Sequence, residues 1–69
     1  MTQVAITLNG EPRQVALGTT VAELLESLRL EPRYVAVEVN LELVPRAAHL
    51  HRRLAEGDRL EVVTLVGGG

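Results

Sequence analysis

TVAELLESL, residues 20–28, decides the architecture. Thr20 followed three residues later by Glu23 is a capping box, in which hydroxyl and carboxylate each satisfy a backbone N–H that the first helical turn leaves without a partner. Val21, Leu24, Leu25 and Leu28 recur at i, i+3, i+4 and i+7, so one apolar stripe runs along about two turns. Glu31-Pro32 is expected to close the helix, because the residue before a proline is pushed out of the α region.

The sequence on both sides alternates instead. Upstream, Val4, Ile6 and Leu8 face one way and Ala5 and Thr7 the other, the period of a half-buried strand. Asn9-Gly10 then marks a hairpin, since a type I′ turn needs positive φ at both central positions. Gln14 to Leu17 reads as the returning strand, with Val15 and Leu17 directed inward. Downstream, Tyr34 to Val39 alternates with Val35, Val37 and Val39 as the buried set. Asn40 suits a turn, and Leu41-Glu42-Leu43-Val44 reads as a short strand stopped by Pro45. Ala47 to Leu54 is expected to hold a helical turn or two, anchored by Leu50 and Leu54. Glu56-Gly57-Asp58 makes the last turn, and Arg59 to Leu65 the last strand, with Leu60 and Val62 facing the core.

One helix of this length covers one face of a sheet and no more. The economical arrangement is an α+β domain, the β-grasp (ubiquitin-like) fold: a mixed sheet of four to five strands with one main helix on one face. Residues 1–66 are assigned to that domain and residues 67–69 to a flexible glycine tail.

Composition narrows the partners. The 69 residues carry a formal charge of −2 and no cysteine, so the chain brings no disulfide, no thiolate metal site and no thiol chemistry. Tyr34 is the sole aromatic residue, which leaves a core of Val, Leu, Ile and Ala. An acidic chain without an aromatic platform is a poor nucleic-acid binder. No apolar run approaches the roughly 20 residues of a membrane span, and no signal-peptide pattern opens the sequence. The expected setting is cytoplasmic, with no membrane partner.

Catalytic chemistry finds little support. His49 and His51 lie two apart, on different faces of a helix, and read as solvated surface residues with no metal site. Ser27 has no neighbouring base, and no glycine-rich loop opens the helix to cradle a phosphate. The chain is therefore read as a non-enzyme. What remains is the terminal run Gly67-Gly68-Gly69. Three residues without Cβ atoms reach about 10 Å when extended and pass where no other side chain would fit. They end in the α-carboxylate of Gly69, ionised at pH 7 and a poor electrophile until another enzyme joins it to a leaving group. Val63 and Leu65 fall on the face of the last strand that the single helix leaves open, and are candidate docking residues beside the tail.

With these motifs placed, the sequence resembles the ThiS family of sulfur carriers in thiamin biosynthesis over essentially its whole length. The likeness runs through Asn9-Gly10, Thr20-Val21 with Leu24-Leu25, Val37-Glu38-Val39-Asn40, Val44-Pro45-Arg46, Gly57-Asp58, Glu61-Val62-Val63 and Gly68-Gly69. Two departures stand out: Leu41 follows Asn40 where many relatives have a turn former, and His49-Leu50-His51 replaces an aromatic residue.

The resemblance implies a chemistry. An E1-like, ThiF-like enzyme adenylates the Gly69 carboxylate with ATP. A persulfide sulfur donor converts the adenylate to a thiocarboxylate, and a ThiG-like thiazole synthase takes the sulfur. Gly69 is then the modified residue, with Gly67 and Gly68 as the slender approach. No bound cofactor is expected, since ATP belongs to the partner, and the free chain is expected to be monomeric. Two other readings stand beside it: a MoaD-like small subunit of molybdopterin synthase, and a β-grasp interaction module without covalent chemistry.

Overall fold

Asn9 and Gly10 take φ values of 51° and 83°, the pair of positive angles a type I′ turn requires. They fold β1 (Gln3–Leu8) back on β2 (Glu11–Ala16) in antiparallel register, Gln3 opposite Ala16 and Leu8 opposite Glu11. The computed structural model describes residues 2–65. β2 begins earlier than its alternation suggested, and it accommodates Pro12 because it is an edge strand, where a missing N–H breaks no ladder. It also stops at Ala16, so Leu17 is 64% exposed rather than inward-facing.

The helix α1 (Val21–Ser27) starts as the capping box requires. The Glu23 N–H donates to the Thr20 hydroxyl at 3.1 Å, and the Thr20 N–H to a Glu23 carboxylate oxygen at 2.9 Å. It ends sooner than Pro32 would impose. Arg29 takes a left-handed φ of 59°, the Leu30 N–H donates to the Leu25 carbonyl, and the Arg29 N–H donates to that of Glu26. These are the paired bonds of a Schellman stop, with arginine in the place glycine usually fills. Pro32–Tyr34 then forms a 3-10 turn leading into β3 (Val35–Val39).

β3 pairs with a two-residue strand, β4 (Glu42–Leu43), and with β5 (Arg59–Thr64), which is also parallel to β1. The order is β2-β1-β5-β3-β4, a mixed five-stranded sheet with β5 at its centre. Val21, Leu24 and Leu25 of α1 pack on Val4, Ile6, Val35, Val37, Val39 and Leu60, while Val44 and Leu54 close the margin. This is the β-grasp fold, with the helix on one face as expected.

The segment between β4 and β5 differs most from its sequence reading. One 3-10 turn, Arg46–Ala48, replaces the expected helical turns. Leu54 is buried, but Leu50 is 72% exposed and anchors nothing. His49, read as a solvated residue, is buried at 4% exposure, its Nε2 held 3.1 Å from the Val44 carbonyl oxygen. The Ala22 N–H donates to the His49 carbonyl, so this loop closes over the start of α1. His51 is exposed.

The β3–β4 turn carries a measurable strain. Asn40 tolerates its φ of 53°, but Leu41 sits at 70° and is 87% exposed. A left-handed leucine costs roughly 1–2 kcal/mol, and this one recovers almost nothing by burial. Leu41→Gly is expected to raise the melting temperature by roughly 4–8 °C, the shift that about 1 kcal/mol gives a domain of this size. Thermal denaturation followed by circular dichroism measures it.

Candidate functional site

β5 is the element that leads to the tail, and it is held from both sides by asparagine side chains. From the first hairpin, Asn9 Oδ1 accepts the Val62 N–H at 2.8 Å and Asn9 Nδ2 donates to the Val62 carbonyl at 3.2 Å. The side-chain amide thus stands in for one more peptide of β1 after that strand has turned away. From the second hairpin, Asn40 Oδ1 accepts the Arg59 N–H at 2.9 Å, and the Asn40 N–H donates to the Arg59 carbonyl at 2.8 Å. Both asparagines were legible as turn residues. Their second role was not, because β5 lies some 20 or 50 residues further along the chain.

The start of β5 is fixed by Asp58, which is 6% exposed. Its carboxylate accepts the Ala55 N–H at 2.8 Å and Asn40 Nδ2 at 3.0 Å, and Arg52 Nη1 lies 3.4 Å away. A buried carboxylate is tolerated only when its oxygens are satisfied in this way. Leu60 then anchors the strand in the core at 1% exposure. The sequence marked this position only as a turn ending in Gly57-Asp58.

Alternation places the next residues of β5 on the uncovered face. Val63 is 58% exposed and Leu65 47% exposed, on the side predicted for both. Val63 stands opposite Ala36 of β3, and the Leu65 N–H donates to the Tyr34 carbonyl at 2.7 Å. Tyr34 and Leu43 are themselves exposed apolar residues beside this strand end, and Leu43 shares a cross-strand row with Glu38 and Glu61. Neither was singled out from the sequence, since strand register is set by both turns together. The result is an apolar patch on an otherwise polar sheet face, at the end from which the tail departs.

The structure brings Val63 and Leu65 together with this patch. Gly67, Gly68 and Gly69 lie outside the described residues, as does the boundary drawn between Val66 and Gly67. Four residues separate Leu65 from Gly69, so the terminal carboxylate lies at most about 14 Å of chain from the patch. Among the described residues no cluster of three or more His, Asp or Glu offers a metal site, and no helix is long and apolar enough to cross a membrane.

Comparison with known proteins gives three kinds of match. The model of the ThiS family matches residues 6–69. The sulfur carrier protein ThiS of Thermus thermophilus is 44% identical over 62 residues, covering 90% of this chain and 95% of that one. A thiazole synthase of Paramagnetospirillum magneticum is 42% identical over 64 residues, which are 93% of this chain. Here the chain spans about a fifth of the length of its relative. Among solved structures, the crystal structure of a thiamine biosynthesis protein (ThiS) from Geobacter metallireducens superposes with a TM-score of 0.82 at 36% identity, covering 96% of this chain and all of that one.

Proposed function

The chain belongs to the ThiS family, and from that premise we propose that it carries sulfur as a thiocarboxylate on Gly69 for assembly of the thiazole ring of thiamin. The observation that carries this reading is the placement of an exposed apolar patch, Val63 and Leu65, at the end of a rigidly held strand that leads within four residues to Gly69. The patch is the grip and the terminal carboxylate the cargo site.

The chemistry follows from the carboxylate. With a pKa near 3.5 it is anionic at pH 7 and resists nucleophiles. An E1-like enzyme joins it to the α-phosphorus of ATP, releasing pyrophosphate and giving an acyl-adenylate. The terminal sulfur of a persulfide attacks the acyl carbon, and AMP leaves with the electron pair of the broken C–O bond. A thiol then cleaves the resulting acyl disulfide, giving thiocarboxylate and a new disulfide. Because the chain has no cysteine, persulfide and thiol both belong to partners. Gly67 and Gly68 let the tail enter each active site in turn, since they present no Cβ to its walls.

The acceptor of the sulfur is a thiazole synthase. The support is the relative that bears that activity in its name and contains a segment 42% identical to this chain. Donor and acceptor segments within one polypeptide are favoured where the two must meet, because linkage raises their effective concentration.

Intact mass spectrometry tests the reading. After incubation with the cognate E1-like enzyme, ATP and a persulfide source, the chain should gain the mass difference between one sulfur and one oxygen. An unchanged mass, while the same enzyme converts a control carrier, would overturn the proposal and favour a β-grasp module that binds without covalent chemistry.

A further inference from the structure

The uncovered sheet face holds an arrangement that costs the free protein stability. Glu38 of β3 and Glu61 of β5 stand directly opposite each other, and both are exposed. Opposed residues on antiparallel strands hold their Cβ atoms about 5 Å apart, a spacing at which like charges destabilise the pair. No cation relieves them: the ion pair found among the described residues is Arg52–Asp58. The nearest basic residue on that face is Arg59, two positions before Glu61 and opposite Asn40, and it lies outside ion-pair distance of both carboxylates.

The surroundings of the two acids are apolar. Leu43 is directly opposite Glu38 on the other side, and the next cross-strand row is Ala36 and Val63, followed by Leu65. Of the seven large apolar residues exposed on the molecule, Tyr34, Leu43, Val63 and Leu65 gather here. Two carboxylates a few ångströms apart within such a frame match one planar cation, which can bond to both at once, on a partner whose neighbouring side chains are apolar.

We propose that Glu38 and Glu61 together receive a guanidinium of the adenylating enzyme, seated between apolar residues that cover Val63 and Leu43. This deepens the carrier reading and rests on it, since the same face leads to the tail. The partner's cation removes the repulsion that the free carrier bears, so docking and charge neutralisation coincide. Paired charges of this kind also steer encounter, which makes the association rate sensitive to salt.

The experiment uses the full-length chain and the cognate E1-like enzyme, reading ATP–pyrophosphate exchange as a function of carrier concentration. Glu61→Arg should raise the KM for the carrier about tenfold with little change in kcat, and should flatten its dependence on salt. In the isolated protein the same substitution should raise the melting temperature, because the new arginine pairs with Glu38. Glu38→Gln and Glu61→Gln should show the same two opposed trends more weakly. A KM unaltered in Glu61→Arg and in Glu38→Arg would overturn the inference while the carrier reading stands. If the unaltered chain supports no exchange with an enzyme active on a control carrier, the carrier reading falls and this inference falls with it.

Discussion

Deletion of Gly69 is expected to abolish thiocarboxylate formation while leaving the melting temperature unchanged. The truncated chain still ends in a carboxylate, that of Gly68, so the chemical group survives and only its position changes. One residue of extended chain is about 3.4 Å. A displacement of about 1 Å from the reactive geometry can cost a hundredfold in rate, and with the body docked on its patch the shortened tail cannot recover three times that distance. Stability is independent of the change, because the core and the hydrogen bonds that define the fold lie within residues 2–65. Intact mass and thermal denaturation on one sample give both readings. Conversion of the truncated chain at the normal rate would show that no fixed distance from patch to carboxylate operates.

Val63→Asp is expected to lower kcat/KM for adenylation by roughly 30- to 1,000-fold, chiefly through KM. In the free protein an aspartate at this 58%-exposed site is solvated and costs little. Covered by an apolar partner surface, it becomes a desolvated charge without a counter-ion, on the same face as Glu38 and Glu61. Truncating or mismatching a central anchor of an interface costs about 2–4 kcal/mol, which sets the range above. Leu50→Asp serves as the control: Leu50 is more exposed than Val63 but lies in the loop between β4 and β5, off the sheet face. Equal losses in the two variants, or none in Val63→Asp, would remove the patch from the docking surface.

These residues show what a sequence conveys and where it falls silent. The first hairpin and the helix start were legible because their causes are local: Asn9-Gly10 for a turn, Thr20 and Glu23 for a cap. The helix end was misplaced because Arg29 occupies the left-handed position that glycine normally advertises. Leu17 and Leu50 misled for a related reason, since periodicity continues past the residue where the chain turns, and only the observed turn ends it. His49 was assigned to solvent because nothing in its sequence neighbourhood announces that the loop will fold over α1.

The site divides in the same way. That Val63 and Leu65 face outward follows from alternation and from there being one helix for two sheet faces. That Glu38 opposes Glu61, or that Leu43 completes the row, depends on register across strands more than 20 residues apart. That register is fixed by the two asparagine turns acting on a third strand.

The central place of β5, bridged by Asn9 on one flank and Asn40 on the other, has a mechanical consequence. When an enzyme draws on the tail, tension enters the body along the axis of β5, parallel to β1 and antiparallel to β3. Such a load is shared by the hydrogen bonds on both flanks in shear, instead of opening them one after another as it would for a strand peeled from an edge. The body therefore yields little under the pull, and the tail alone takes up the slack between grip and active site.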